Sequence, residues 1–110
     1  MREKKQINIE IGEQVRIARE QKKLTQEILA ERIEVSPQYI SDLERGVVGI
    51  SLPTLKRLCV SLGISSDQIL FAKQPESDAA ALTEKCKHLT AKQLEFLSNI
   101  IDNYIAAVTQ

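Results

Sequence analysis

The chain has 110 residues, of which 43% are hydrophobic and only 4% aromatic, and its 15 basic residues balance 15 acidic ones. With four Gly and three Pro among many strong helix formers, the composition favours an all-α protein with an aliphatic core. A net charge of zero argues against indiscriminate binding to nucleic acid. A sequence-specific reader is still allowed, because it needs only one basic face.

No apolar run approaches the ~20 residues that a membrane-spanning helix requires. The N-terminal segment is followed by mixed residues instead of the apolar stretch of a secretion signal. We therefore expect a cytoplasmic protein with no membrane partner.

The first predicted helix begins at Asn8, a suitable N-cap, and continues to about Gln21. Ile11, Val15 and Ala18 recur along it at helical spacing. This helix is therefore expected to bury one narrow apolar stripe.

A second, shorter helix is predicted after Thr25, which is a good N-cap. Leu29, Ala30 and Ile33 give it one buried stripe, and it should end near Ile33.

A third helix should begin at Pro37 behind the N-cap Ser36, because proline is well tolerated at the first helical position. Ile40 and Leu43 form its inward stripe, and Gly46 is placed to end it. The short connection between the second and third helices is typical of a helix-turn-helix.

A fourth helix is predicted after Ser51, with Pro53 in its first turn and Gly63 at its end. Its inward residues are Leu55, Leu58 and Leu62. Ser65 and Gln68 then form a capping-box pattern ahead of a short fifth helix that ends near Phe71.

Residues 73–78 are polar, contain a proline and predict a linker. Asp78 could cap a sixth helix, and Thr90 with Gln93 forms a capping-box pattern before the last helix. The last helix carries one apolar stripe, made of Leu94, Leu97, Ile101, Tyr104 or Ile105, and Val108, and Phe96 and Ile100 widen it.

Two uses of this stripe are open: packing back on the N-terminal helices, or pairing with a second copy of the chain. The second use is favoured, because a lone helical hairpin has too small a core, whereas two hairpins make a four-helix core in a homodimer. The expected organisation is a DNA-binding domain over 1–72, a linker over 73–78, and dimerisation helices over 79–110.

The order and spacing of several short motifs resemble those of the Cro/XRE-type, phage-repressor-like helix-turn-helix family. The resemblance extends from about Ile9 to Phe71. The motifs are Leu24-Thr25-Gln26-Glu27, Leu29-Ala30, Val35-Ser36, Ile40-Ser41, Leu43-Glu44-Arg45-Gly46, Ser51-Leu52 and Leu62-Gly63-Ile64-Ser65. The resemblance implies a five-helix domain that binds double-stranded DNA, and a largely buried ion pair between Arg19 and Glu44.

Helical geometry places the polar side chains of the third helix opposite its buried stripe. Gln38, Asp42 and Arg45 face outward, with Ser41 beside them and Tyr39 on a flank. Amide, carboxylate and hydroxyl groups can read base edges, and a tyrosine ring can contact a thymine methyl. We therefore expect these five residues to read bases in the major groove.

Phosphate contacts are expected at the starts of the second and third helices, from Thr25, Gln26, Ser36 and Pro37. The resembled family often has Lys or Arg directly after the glycine that corresponds to Gly46. Here two valines follow, so only main-chain N–H groups of residues 46–49 remain as further candidates.

Two more departures from the family concern backbone and surface. Glu34 occupies a turn position where the family commonly has glycine, so it should adopt a left-handed conformation at a cost of ~1 kcal/mol. Ile17 and Ile28 stand where polar residues are usual. The C-terminal helices or a partner subunit should cover them.

Cys59 and Cys86, with the single histidine His88, are too few for a disulfide scaffold or a four-ligand metal site. Cys59 is best explained as a buried thiol, and the alternative for Cys86 and His88 is a redox or metal sensor. No cofactor or metal is expected. No phosphate loop, ligand cluster or activated nucleophile suggests an enzyme.

The sequence thus predicts a repressor that binds a palindromic operator as a homodimer through the third helix. The alternative is an antitoxin-type interaction module whose C-terminal helices bind a different regulatory protein. A palindrome upstream of the protein's own gene would favour the first function, and a neighbouring toxin-like gene would favour the second.

Overall fold

The computed structural model describes residues 5–109, which form seven helices and no strand. The helices are α1 (Gln6–Gln21), α2 (Gln26–Arg32), α3 (Pro37–Glu44), α4 (Leu52–Leu62), α5 (Ser66–Phe71), α6 (Asp78–Cys86) and α7 (Ala91–Val108). The predicted all-α class, with five helices followed by a C-terminal pair, is confirmed. The ends of the two predicted domains, at residues 1–4 and 110, lie outside the described residues.

Hydroxyl side chains start every helix from α2 to α7, and each accepts a hydrogen bond from the N–H three residues later. These N-caps are Thr25, Ser36, Ser51, Ser65, Ser77 and Thr90. Each satisfies a backbone donor that the first turn leaves without an intrahelical partner. The predicted capping box of Thr90 and Gln93 is complete, with both reciprocal hydrogen bonds present.

Two predicted caps were wrong. Asn8 lies inside α1, which begins after Lys5, and the Asn8 amide stands beside Gly49 in the α3–α4 loop. Asp78 is the first residue of α6, because the preceding Ser77 accepts the hydrogen bond from the Ala80 N–H. The connection before α6 accordingly ends one residue earlier than predicted.

The core forms where α1 and α2 pack on α3, and where α5 packs on α1 and α4. Its fully buried side chains are Val15, Leu29, Ile33, Ile40, Leu43, Leu58, Leu62 and Ile69. Gly12 permits the close crossing of α1 and α3, because a Cβ at this position would lie 2.2 Å from the carbonyl oxygen of Leu43. The core therefore holds α3 against two other helices.

Left-handed backbone conformations end α3 and α4 and form the α2–α3 turn. Gly46 and Gly63 have φ values of 75° and 65°, which glycine adopts without strain. Glu34 has φ of 61°, so the predicted left-handed conformation at this non-glycine turn residue is confirmed. The turn of the helix-turn-helix therefore contains a non-glycine residue, Glu34, in a left-handed conformation that is strained for an L-residue.

The C-terminal helices contribute little to this core. The aliphatic part of Lys85 in α6 lies against Gly63, whereas no residue of α7 is buried. Ile28 is 42% exposed, so the chain's own C-terminal helices do not cover it, and the other predicted cover, a partner subunit, stays a prediction. The described part of the chain is elongated, with a length of 64 Å against widths of 27 and 22 Å.

Candidate nucleic-acid interface

One face of α3 is polar and accessible, while the opposite face is fixed in the core. Ile40 and Leu43 are fully buried, Gln38 and Arg45 are exposed, and Asp42 is half-buried. Because two buried side chains anchor a helix of eight residues, the orientation of the polar face is set by packing. This is the rigid presentation that reading of base edges requires.

The Asp42 carboxylate links the polar side chains of this face. The Gln38 amide donates to Oδ1 of Asp42 at 2.9 Å, and the Arg45 guanidinium donates to the same oxygen. Arg45 also reaches the carbonyl oxygen of Ser41 at 3.3 Å. The structure thus brings Gln38, Asp42 and Arg45 into one hydrogen-bonded set, with Ser41 beside it.

Tyr39 lies at the edge of this face. Its ring is half-buried and packs against the hydrophobic core, and its N–H donates to the Ser36 hydroxyl. Less of the ring is therefore accessible than of Gln38 or Arg45.

A largely buried ion pair connects α1 to the end of α3. Arg19 Nε donates to Glu44 Oε2 at 2.7 Å, and Arg19 Nη2 donates to Oε1 at 3.0 Å, which is a bidentate geometry. The two side chains are only 13% and 3% exposed. Hydrogen bonding to Glu44 raises the pKa of the Arg19 guanidinium. A third donor, Arg19 Nη1, bonds the Leu24 carbonyl oxygen at 2.8 Å.

Gln26 joins the same carboxylate. Its amide donates to Oε1 of Glu44 at 3.1 Å, which connects the start of α2 to the end of α3. One N–H and the oxygen of this amide are not used in that bond. The contact was not predicted, because a link between residues 18 positions apart leaves no local pattern in the sequence.

The hydroxyls of Thr25 and Ser36 accept backbone N–H groups at 3.1 Å and keep their own hydrogen atoms for donation. Pro37 is exposed at the first position of α3. Gly46 and Val47, by contrast, donate their N–H groups to the carbonyls of residues 43 and 42, at 3.1 and 3.0 Å. The prediction that these two main-chain donors remain for phosphate was therefore wrong.

A groove of about 570 Å³ between α2 and α4 concentrates positive charge on this neutral chain. Arg32, Lys56 and Arg57 line it, and Arg57 also donates to the carbonyl oxygen of Ile33 at 3.4 Å. This basic cluster was not predicted from the sequence. The adjacent Lys56 and Arg57 were the signal that could have identified its α4 half.

A second cleft, of about 490 Å³, separates α4 from the end of α6 and includes Cys59, Glu84 and His88 in its lining. Burial raises the pKa of the Cys59 thiol. His88 Nε2 is buried without a hydrogen-bond partner. Within residues 5–109 no group of three or more His, Cys, Asp or Glu side chains is arranged to hold a metal ion.

Sequence comparisons place this arrangement among known regulators. The profile of the helix-turn-helix family matches residues 15–69. The immunity repressor protein of Bacillus phage phi105 is 37% identical over 60 residues, which cover 54% of this chain and 42% of the phage protein. The HTH-type transcriptional repressor RghR of Bacillus subtilis is 33% identical over 99 residues, covering 80% of this chain and 73% of RghR.

Solved structures of transcriptional regulators have a similar fold. The clp gene regulator ClgR of Corynebacterium glutamicum superposes with a TM-score of 0.58 at 26% identity, covering 98% of this chain and 100% of that chain. The restriction-modification controller protein C.AhdI of Aeromonas hydrophila gives a TM-score of 0.54 at 29% identity, covering 56% of this chain and 94% of that chain.

None of the helices described within 5–109 is long and apolar enough to traverse a bilayer. The chain belongs to the Cro/XRE-type helix-turn-helix family of DNA-binding transcriptional regulators.

Proposed function

We propose that this protein is a cytoplasmic transcriptional repressor that binds a palindromic operator in double-stranded DNA as a homodimer. Each subunit inserts α3 into the major groove and blocks transcription by occupying the site. The observation that carries the proposal is the hydrogen-bonded set of Gln38, Asp42 and Arg45 on the exposed face of an otherwise buried helix. The phage phi105 relative and RghR are both named as repressors, which supports repression over activation.

Base reading would use the side chains that project farthest from the domain. Gln38 can form two hydrogen bonds with adenine, and Arg45 can do so with guanine. Asp42 orients both side chains and would repel phosphate in an incorrect docking register, which favours the correct one. Ser41 and the accessible edge of Tyr39 would add shorter contacts from the flank.

Phosphate contacts would come from the entrance of the helix-turn-helix. The Gln26 amide is held by Glu44 and can offer its second N–H to a phosphate oxygen. The hydroxyls of Thr25 and Ser36 can donate as well, and exposed Pro37 allows the backbone of DNA to approach closely. These contacts fix the position of α3 and carry no base preference themselves.

The dimer would form through the exposed apolar stripe of α7, which holds Leu94, Leu97, Ile101, Tyr104, Ile105 and Val108. A monomer has no evident use for such a face on an extended helix. Two-fold symmetry would place two α3 helices on successive major grooves, about one DNA turn or ~34 Å apart.

Selection of bound sites from random duplex DNA tests this function. We expect the selected sites to converge on two inverted half-sites with centres ~34 Å apart or a multiple of that distance. Footprinting should then show both half-sites protected together as protein is titrated. Convergence on a single isolated half-site protected by monomer would contradict the homodimer, and no convergence at all would contradict sequence-specific reading.

A further inference from the structure

The apolar surface of α7 is wider than one stripe and is extended on one side only. Outside the stripe defined above, Phe96 and Ile100 are each 63% exposed, and Tyr104 at the edge of the stripe is 67% exposed. At 3.6 residues per turn, these three follow one another along the same side. We call them the apolar flank.

The opposite side of the stripe is polar. Ser98, Asp102 and Glu95 follow one another there, and we call them the polar flank. By the same helical geometry the apolar arc covers roughly half of the circumference, from Phe96 across the stripe to Ile105. Because one side of the stripe is apolar and the other side is polar, the surface of α7 is asymmetric about the stripe.

This asymmetry distinguishes the parallel pairing of two α7 helices from the antiparallel pairing. When two helices pair in parallel, each side of one helix meets the opposite side of its partner, so the apolar flank would lie against Ser98 and Asp102 of the partner. When they pair antiparallel, each side meets the same side. Both apolar flanks then come together, and both polar flanks face water.

The spacing of the stripe gives the register of such a pair. Positions 94, 97, 101, 105 and 108 are symmetrical about residue 101. With a two-fold axis at Ile101, Leu94 lies opposite Val108 of the second copy, and Leu97 lies opposite Ile105.

The dimensions of the molecule are compatible with this arrangement. In the antiparallel pair, the first residues of the two α7 helices are about 30 Å apart, from ten residues on each side of the axis at 1.5 Å rise. In a parallel pair they would be only ~8–10 Å apart. The whole described chain, α7 included, is 27 and 22 Å across its short axes, so a start-to-start distance of about 30 Å leaves more room for two copies than ~8–10 Å does.

We propose that α7 pairs with α7 of a second copy as an antiparallel, two-fold symmetric helix pair with its axis at Ile101. The proposal rests on the homodimer of the proposed function and specifies its geometry. We take a second copy of this chain as the partner of α7. In an antiparallel pair of identical α7 helices, the two apolar flanks contact each other and the two polar flanks face water. The pair also places the first residues of the two α7 helices, from which the DNA-binding domains extend, at opposite ends and about 30 Å apart.

Disulfide mapping in full-length chains tests the proposal. Cysteine is introduced singly at Leu94→Cys, Ile101→Cys or Val108→Cys in a Cys86→Ser background, and at Asn99→Cys on the outer side of the helix as a matched control. We expect Ile101→Cys to oxidise to a disulfide-linked dimer, and Leu94→Cys and Val108→Cys to link only when the two variants are mixed under reducing conditions and then oxidised. Asn99→Cys should remain at monomer mass on a non-reducing gel.

Each other outcome overturns the proposal. Linkage of Leu94→Cys to itself and of Val108→Cys to itself would show a parallel pair. Absence of linkage at Ile101→Cys in a chain that light scattering shows to be dimeric would place the interface elsewhere, and a monomer at all concentrations would exclude the pair. DNA titration of the unmodified protein is a separate readout, so a failure of the proposed function leaves these linkage results unchanged.

Discussion

The Arg19 guanidinium and the Glu44 carboxylate form a two-point ion pair, at 2.7 and 3.0 Å, that ties α1 to the end of α3. Glu44 is 3% exposed and also accepts the Gln26 amide, so one carboxylate joins the first three helices. The stability of the domain and the position of α3 therefore depend on the same group.

Removing either partner should leave a buried charge without compensation. We expect Arg19→Met and Glu44→Gln each to lower the free energy of unfolding by ~3–5 kcal/mol, and the double variant to lose less than the sum. Urea denaturation measures this. Arg16→Met is the control, because Arg16 pairs with Glu20 at the surface at 3.1 Å and should change stability by less than ~1 kcal/mol. If the buried variants unfold like the control, the pair is not stabilising.

The turn between α2 and α3 contains a strained residue that can be relieved. Glu34 has φ of 61°, which costs an L-residue ~1–2 kcal/mol, whereas glycine adopts this value freely. After the larger backbone entropy of unfolded glycine is subtracted, Glu34→Gly should stabilise the protein by up to ~1 kcal/mol. Glu31→Gly, at an exposed position inside α2, should destabilise by ~1 kcal/mol. Equal destabilisation by both substitutions would show that the turn is not strained.

Local patterns predicted most of the fold, and the failures have identifiable causes. Hydroxyl caps such as Ser36 were recognisable because capping depends on residues within one turn. Asp78 was chosen over its neighbour Ser77 because both residue types cap helices, and spacing alone does not distinguish adjacent candidates. Asn8 was misplaced because the same amide can lie inside a helix and contact a loop that is distant in sequence.

The candidate site shows the same division between local and long-range information. The link from Gln38 to Asp42 spans one helical turn, so the sequence contained its signal. The hydrogen bond from Gln26 to Glu44 joins two helices and could be found only after they were packed. Likewise, the exposure of Ile28 depends on where the C-terminal helices lie, which no local pattern specifies.

Gln38 and Gln26 should differ in how their loss affects DNA binding. Gln38→Ala should weaken binding to the best site and relax base preference at one position by ~1–3 kcal/mol, because it removes a contact to a base edge. Gln26→Ala should weaken binding to all sequences alike. Titrations against single-base operator variants at fixed salt measure both, with Gln74→Ala in the exposed segment before α6 as the control. An unchanged base preference for Gln38→Ala would remove that residue from the reading set.

The two thiols should react at different rates. Burial raises the pKa of Cys59, which keeps it protonated, whereas Cys86 is half-buried on α6. We expect iodoacetamide to alkylate Cys86 first in the native protein and Cys59 only on unfolding, as followed by mass spectrometry of Cys59→Ala and Cys86→Ser variants. Equal rates in the native protein would contradict a shielded Cys59.

The raised pKa of Cys59 also predicts how the stability of the fold changes with pH. In the unfolded chain the thiol loses its proton at its ordinary pKa of 9.0, whereas folded Cys59 has a raised pKa and still retains the proton at that pH. The contribution of this group is therefore present below that pH and declines as pH rises toward the folded pKa. The stability difference between the wild type and Cys59→Ala should shrink over this range in urea titrations, and a difference that is independent of pH would contradict the shift.

Truncation after Ala72 should separate folding from dimerisation. Every buried hydrophobic side chain among the described residues lies between Ile11 and Ile69, so the five N-terminal helices contain their own core. We expect a helical monomer by circular dichroism and light scattering. Its operator affinity should fall by about 100-fold or more, because two half-sites are then bound independently.

The outcome distinguishes the roles of the C-terminal helices. An unfolded fragment would show that α6, through its contact at Gly63, supports the domain more than its modest burial indicates. A fragment that is folded and still dimeric would place the interface in the helix-turn-helix domain. The apolar surface of α7 would then have to bind a different protein, which is the interaction-module alternative. The full chain carrying Ile101→Asp is the matched control, because it keeps α6 and should lose dimerisation alone.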